Sequence, residues 1–176
     1  MIAVHYVDLD NFKPVNDNHG HRAGDQLLVS AAERLRQSVR ENDTIERLGG
    51  DEFAIVQTAI HEPGDAAILA VRLLRMFTHP FRVAGKEVHV GLSIGIAIAP
   101  DDGLVSDDLL IKADNALYRS KSSGRGCFQF FRGAAFSATA IRAASAALFF
   151  TSAMLATRLR PPLSSLMRAS RKGVSS

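Results

Sequence analysis

The chain has 176 residues, 47% of them hydrophobic and 22% charged, which is ordinary usage for one globular domain with a sizeable core. Its net charge of +3 is unevenly placed, because residues 1–130 hold 14 basic and 18 acidic residues, a net charge of −4, and this acidic body excludes the basic face of a nucleic-acid-binding protein. A single cysteine, Cys127, excludes an internal disulfide, and the sequence shows no signal peptide, so we expect a cytoplasmic protein.

The first part of the chain is predicted to fold as a strand, a helix and a hairpin. Ile2 to Val7 is an apolar run typical of a buried strand, and because it stands almost at the first residue we expect a truncated N-terminus and one exposed strand face. A predicted loop from Asp8 to Gly24 leads into an amphipathic helix from Asp25 to Arg40. Thr44 to Leu48 and Phe53 to Thr58 then form the arms of a hairpin.

The second part continues as a helix, two strands, a helix and a short last strand. We predict these over Asp65 to Thr78, Phe81 to Val83, Val88 to Ala99, Ser106 to Lys121 and Cys127 to Phe131. The apolar run Ile94 to Ala99 indicates a central strand buried on both faces, and Ser106 is expected to cap the last helix. The sequence therefore predicts an α+β domain over residues 1–131, with helices packed on a mostly antiparallel sheet.

Residues 132–176 differ from this domain in composition. They are rich in Ala, Ser and Arg and contain no acidic residue. Their apolar stretch, Ala143 to Thr157, is shorter than the run of about 20 residues that a bilayer requires. Three interpretations stay open, namely a disordered or unrelated tail, which includes an out-of-frame translation, an amphipathic helix, or weak membrane association. Within the domain we expect no membrane span.

Two pairs of carboxylates lie next to predicted strands. Asp8 and Asp10 close the first strand, and Asp51 and Glu52 stand directly behind two glycines at the tip of the hairpin. Paired glycines allow positive φ at such a tip, and carboxylates fixed there can hold Mg²⁺ beside a triphosphate. An ordinary solvated hairpin is the alternative, but it does not explain the second pair of acids, Asp8 and Asp10.

Several separated motifs carry a family resemblance. D-L-D-N-F-K-P-V-N-D-N-H-G-H-R-A-G-D begins at Asp8, R-L-G-G-D-E-F begins at Arg47, and L-S-I-G-I-A, A-D-N-A-L-Y-R-S-K and G-R-G follow in order. Together they strongly resemble the GGDEF family of diguanylate cyclases. This resemblance implies a fold like the palm of nucleotidyl cyclases and polymerases. It also implies a homodimer in which two GTP molecules, one on each of two facing domains, are joined into cyclic di-GMP with loss of two pyrophosphates.

The resemblance also implies a metal site and its ligands. Asp8, the main-chain carbonyl of Leu9, Asp51 and Glu52 match the positions that hold Mg²⁺ (or Mn²⁺) at the triphosphate, and these three acids are the implied catalytic group. Asp51 further matches a position proposed to help deprotonate the attacking 3′-hydroxyl, and its role as base or as ligand stays open. We treat Asp10 as a supporting residue, since a loop-capping acid explains it equally well.

Recognition of GTP is implied at further positions. Asn16 and Asp25 match the family's guanine-reading residues. Adenine would leave Asp25 unpaired at a cost of about 1 to 3 kcal/mol, which is enough to favour GTP at least about tenfold. A plain acid at a helix start is the alternative for Asp25, and a solvated surface is the alternative for the implied phosphate-facing cations. The remaining implied substrate-binding residues are Phe12, Gly49, Gly50, Lys13, Lys121 and Arg125.

A product-inhibition site is implied by a short charged pattern. Arg40 and Asp43 stand three positions apart, shortly before Gly49, as in the family's site for bound cyclic di-GMP. Arg72 on the next predicted helix is a candidate second cation. A charged helix end followed by a turn acid is the alternative.

Departures from the family pattern leave three hypotheses. The chain begins after the family's first helix, and residues 81–131 resemble members that continue into a phosphodiesterase domain, which this sequence does not contain. The chain is therefore an active cyclase, a module that binds GTP or cyclic di-GMP without turnover, or a fragment that does not fold.

Overall fold

The computed structural model describes residues 1–132. Its elements in chain order are β1 Ile2–Asp10, α1 Phe12–His19, α2 His21–Arg36, β2 Thr44–Gly49, β3 Glu52–Gln57, α3 Pro63–Met76, β4 Phe81–Val83, β5 Lys86–Val88, β6 Gly91–Ala99, α4 Ser106–Ser122 and β7 Phe128–Phe130. This order confirms the predicted α+β class. The interpretations of the tail fall, apart from Arg132, outside the described residues.

The main sheet has five strands in the order β2-β3-β1-β6-β7. All neighbours are antiparallel except β6 and β7, which are parallel and are joined through α4. Strands β4 and β5 form a separate two-stranded ribbon. The prediction of a mostly antiparallel sheet is confirmed, and β1 is its central strand.

The two faces of the sheet are packed differently, and strand β6 contributes residues to both. Its large side chains, among them Ile94 and Ile96, belong to the main core with α2 and α3, whereas the small Ala97 and Ala99 pack with residues of α4. A Cβ added at Gly95 would overlap the carbonyl of Ala113 on α4. The small residues therefore let the backbone of α4 lie directly on the sheet, which fixes where the end of that helix stands.

The predicted loop from Asp8 to Gly24 is wrong. Single residues with positive φ, Asn11 at 63° and Gly20 at 83°, separate β1 from α1 and α1 from α2, so the segment is almost wholly regular. Helix α1 escaped detection because Val15 is its only buried residue, which leaves little apolar periodicity.

Three further expectations need correction. On β1, Ile2 is 42% exposed and Tyr6 is half-buried, but Val4 is buried against residues of α4, so the face predicted to be exposed is partly covered by that helix. Helix α2 begins earlier and ends earlier than predicted, at Arg36 instead of Arg40, since the chain turns at Gln37. Ser106 is the first residue of α4 and not its cap, and two acids in the first turn favour the helix dipole instead.

Candidate active site

The predicted acidic segments meet where β1 ends beside the β2–β3 hairpin. Asp8 lies opposite Glu52 in the pairing of β1 with β3, and the N–H of Leu9 donates to the carbonyl of Asp51 at 3.2 Å. At the hairpin tip Gly50 has a φ of 50°, whereas Gly49 belongs to β2 and has no positive φ. Only one of the two glycines therefore uses the conformational freedom that the sequence predicted for both.

A cavity of about 440 Å³ opens beside these acids. Residues 8–14, 51 and 52 line it, together with Lys121 and Arg125. All of the implied metal-binding, catalytic and phosphate-facing cationic residues thus line one cavity, whose volume suits a single small ligand.

Lys121, in the last turn of α4, forms a salt bridge with the acidic cluster. Its Nζ donates to Asp8 Oδ2 at 2.6 Å. Burial raises the pKa of Asp8, and the nearby carboxylates of Asp51 and Asp10 raise it further, while Lys121 lowers it. A cation placed among these oxygens would therefore stabilise the ionised carboxylates.

The donor set of this cluster fits a hard divalent cation. Asp8, Asp51 and Glu52 offer carboxylate oxygens, and Leu9 offers a main-chain carbonyl, which are ligand types that Mg²⁺ prefers. Within residues 1–132 no three or more His, Cys, Asp or Glu side chains are arranged so that they alone could hold a metal ion. In proteins, Mg²⁺ commonly takes one or two carboxylates and completes its shell with water and substrate phosphates.

Tyr6 contacts the site although the sequence analysis did not select it. Its hydroxyl donates to Glu52 Oε2 at 3.1 Å. Burial raises the pKa of Tyr6 to about 12, with a further contribution from Glu52, so the hydroxyl keeps its proton and donates at neutral pH. Because alternate residues of a strand share a face, its position two residues before Asp8 was the available signal.

Asp10 lies beside the site and contacts Ser93. The sequence analysis treated Asp10 only as a supporting residue and did not select Ser93. Asp10 is 4% exposed, and its carboxylate accepts hydrogen bonds from the Ser93 hydroxyl at 2.7 Å and from the N–H of Gly126 at 3.0 Å. The structure thus gives Asp10 two contacts within the chain.

The implied guanine-reading residues lie on the helical pair that follows the site. Asn16 is on α1 and the exposed Asp25 is on α2, and neither lines the cavity. Gly24 brings the two helices together, because a Cβ at Gly24 would overlap the Asn16 side chain. The structure therefore places Asn16 beside the residue that precedes Asp25.

The implied product-inhibition residues also come together. Asp43 accepts hydrogen bonds from the N–H of Arg40 and of Thr58, both at 3.0 Å, so its carboxylate organises the turn before β2. Arg72 on α3 has a pKa lowered first by burial and then by Arg40, and Asp43 opposes that shift. Arg72 therefore interacts with both residues of the turn, and it does not line the cavity.

Among residues 1–132, no helix combines the length and the apolar character needed to cross a bilayer.

Comparison with known proteins shows that the chain is similar to one family. The family profile described as "Diguanylate cyclase, GGDEF domain" matches residues 1–127. The chain is 49% identical over 129 residues to the bifunctional diguanylate cyclase/cyclic di-GMP phosphodiesterase MucR of Pseudomonas aeruginosa, covering 73% of this chain and 19% of MucR. It is 38% identical over 130 residues to the cyclic di-GMP phosphodiesterase NbdA of the same organism, covering 74% of this chain and 16% of NbdA.

A solved structure supports the same assignment. The GGDEF domain of TpbB (YfiN) from Pseudomonas aeruginosa superposes with a TM-score of 0.73 at 39% identity, covering 74% of this chain and 77% of that one. The chain spans less than a fifth of the length of the two curated relatives, MucR and NbdA. From the profile match and this shared fold, we conclude that the chain belongs to the GGDEF diguanylate cyclase family.

Proposed function

We propose that this chain is a diguanylate cyclase domain that condenses two GTP molecules into cyclic di-GMP and two pyrophosphates. The observation that carries the proposal is the meeting of Asp8 with Asp51 and Glu52 beside one cavity that also receives Lys121 and Arg125. Family membership supports the reaction type. Because GTP is an intracellular nucleotide, we place this activity in the cytoplasm. Residues 132–176 stand outside the proposed domain.

Mg²⁺ (or Mn²⁺) is the proposed cofactor. Asp8, the carbonyl of Leu9, Asp51 and Glu52 would hold it, and the bound ion would offset charge on the triphosphate and act as a Lewis acid. The cationic side chains Lys121, Lys13 and Arg125 are the proposed phosphate contacts, the first two as point charges and Arg125 as a fork of donors.

The reaction needs the 3′-oxygen of each GTP to attack the α-phosphorus of the other. At each attack the new P–O bond forms as the bond to the leaving pyrophosphate breaks, and the hydroxyl proton passes to a base, for which Asp51 is the proposed acceptor. A cavity of about 440 Å³ suits a single nucleotide. We therefore assign the second GTP to a second copy of the chain that faces the first in a homodimer.

Two further proposals concern recognition. Asn16 and Asp25 read the guanine base, with Phe12, Gly49 and Gly50 shaping the path of the nucleotide. At a distance from the cavity, a second site binds the product cyclic di-GMP and lowers turnover, and its proposed residues are Arg40, Asp43 and Arg72.

Chromatography tests the activity directly. The purified chain with GTP and Mg²⁺ should yield cyclic di-GMP, and Asp51→Ala should reduce product below detection. Asp107→Ala is the matched control, because Asp107 is an exposed acid on α4 that does not line the cavity. Product from Asp51→Ala would contradict the role given to this acid, and no product from the unaltered chain would contradict cyclase activity.

A binding module without turnover is the second candidate function. The observation favouring it is that NbdA, similar to this chain over 130 residues, is named as a phosphodiesterase and not as a cyclase. Calorimetry separates the candidates: heat with GTP or cyclic di-GMP but no product would favour the module. A broad, uncooperative thermal transition would instead indicate the fragment that does not fold.

A further inference from the structure

Asp10 connects the central strand to the loop that carries Arg125. It is the last residue of β1 and is 4% exposed. Oδ1 accepts from the Ser93 hydroxyl at 2.7 Å, and Oδ2 accepts from the main-chain N–H of Gly126 at 3.0 Å. Position 91 leaves room for this carboxylate, because a Cβ added at Gly91 would lie 3.0 Å from Oδ2.

The loop after α4 has an unusual backbone. Gly124, Arg125 and Gly126 have φ values of 111°, 63° and 61°. The left-handed region is unfavourable for a residue with a Cβ, so the conformation of Arg125 depends on contacts that hold it. Two such contacts flank its side chain, since the N–H of Arg125 donates to the carbonyl of Ser120 at 3.2 Å and the N–H of Gly126 donates to Asp10.

We propose that Asp10, oriented by Ser93, is a positioning residue that fixes the 124–126 loop so that Arg125 faces the cavity and binds the triphosphate of GTP. The inference rests on the proposed function for the identity of the ligand. Both Asp10 and Arg125 line the cavity, but each Asp10 oxygen already accepts a hydrogen bond from within the chain. That arrangement distinguishes Asp10 from its neighbour Asp8, whose carboxylate forms a salt bridge with the side chain of Lys121.

Two substitutions separate positioning from direct action by the charge. In Asp10→Asn, the amide oxygen can still accept from Gly126, and the amide nitrogen can donate to the Ser93 hydroxyl, which can accept as well as donate. Asp10→Ala removes both contacts. A residue that acts through its negative charge, for example as a metal ligand, would lose its role in both variants.

Steady-state kinetics of the full chain give the main test. Losing one charge-assisted phosphate contact should raise the KM for GTP roughly tenfold in Asp10→Ala, with a smaller change in kcat. Asp10→Asn should restore KM to within about threefold of the unaltered chain. In an Arg125→Ala background, Asp10→Ala should add nothing to the KM, because the contact it supports is already absent.

Other kinetic outcomes would overturn the proposal. A lower kcat at unchanged KM in Asp10→Ala would indicate loss of folded enzyme alone. Equal damage from Asn and Ala would indicate a role for the charge itself. An additive effect in the Asp10→Ala/Arg125→Ala double variant would show that the two residues act independently.

Amide exchange tests the same contact without turnover. Gly126 is exposed, so protection of its amide should come from the bond to Asp10. In the ligand-free chain, NMR should show slow exchange for the unaltered protein and Asp10→Asn, and fast exchange for Asp10→Ala. Unchanged exchange in Asp10→Ala would overturn the proposal. Absence of product from the unaltered chain would instead contradict the proposed function, and the exchange result would still decide the role of Asp10 in the loop.

Discussion

Tyr6 and Glu52 provide the first test at the scale of single residues. Because burial raises the pKa of Tyr6 to about 12, its hydroxyl keeps its proton and donates to Glu52 at neutral pH. Tyr6→Phe removes this donor and leaves Glu52 less well oriented. We expect the Mg²⁺ concentration for half-maximal turnover to rise roughly tenfold, a size typical of groups that orient metal ligands.

The control for Tyr6→Phe is Tyr118→Phe, which removes the same atom from a side chain that is 73% exposed on α4. Its Mg²⁺ dependence should match that of the unaltered chain. A Tyr6→Phe protein with unchanged Mg²⁺ dependence would show that the hydroxyl does not orient Glu52.

His5 is a buried polar residue whose effect should appear in stability. Its Nε2 pairs with Gln57 Oε1 at 3.0 Å, and among residues 1–132 its Nδ1 has no hydrogen-bond partner. Burial lowers the pKa of His5 from 6.5 to about 4, so the unfolded chain binds the proton more readily than the folded one. The stability linked to His5 is therefore complete above pH 6.5 and is lost as pH falls toward 4.

Urea unfolding at several pH values measures this loss. A single proton predicts up to about 1.4 kcal/mol per pH unit, or about 3 kcal/mol in all over that window. His5→Gln stays neutral and can still donate to Gln57, so it should flatten the pH dependence, whereas the exposed His89→Gln should not. An unchanged slope in His5→Gln would contradict the assignment.

The residues of the site differ in how far sequence could reveal them. Asp8, Asp51 and Glu52 stand in linear motifs, so their types and spacing were sufficient to select them. Tyr6 and Ser93 act across strand pairs, and their contacts depend on the register of β1 with β3 and β6, which no local pattern fixes.

At the scale of elements, the close contact between α1 and α2 is testable through Gly24. A Cβ there would overlap Asn16 and lie 3.2 Å from Cζ of Phe12, which should displace α1. We expect Gly24→Ala to cost about 1 to 3 kcal/mol of stability as overpacking, partly offset by the better helix propensity of alanine. Because Asn16 moves, the preference for GTP over ATP should fall.

Initial rates with GTP and ATP, beside a urea melt, measure both effects. Val29→Ala is the control, since Val29 is 59% exposed on the same helix. Reduced stability with an unchanged nucleotide preference would show that Asn16 does not read the base.

The elements also differ in how well their sequence patterns predicted them. Helices α3 and α4 carry strong apolar periodicity, and their predicted ends differ from the observed ones by at most two residues. Helix α1 buries only Val15, so its sequence pattern resembled that of a loop. Its boundaries are set by the positive φ of Asn11 and Gly20, which the pattern of apolar residues does not show. The apolar run of β6 predicted a strand buried on both faces, but the partial covering of β1 by α4 depends on the three-dimensional path of the chain.

At the scale of the whole molecule, the site explains why assembly should control activity. The acids, Lys121 and Arg125 border one cavity of about 440 Å³ on one copy of the domain, while the proposed product contains two guanylates. Below the dissociation constant of the facing pair, most chains are single, so the rate of product formation should rise with the square of chain concentration. Well above that constant, the rate per chain should become constant.

Initial rates over a hundredfold dilution series, compared with the molecular mass from light scattering, measure this dependence. Adding excess Asp51→Ala chain should lower the rate of a fixed amount of unaltered chain, because mixed pairs carry one defective half. Asp107→Ala, altered outside the cavity, should instead raise the rate by forming productive pairs. A constant rate per chain under conditions where light scattering finds only monomers would contradict the two-copy mechanism, because one domain would then be joining both nucleotides alone.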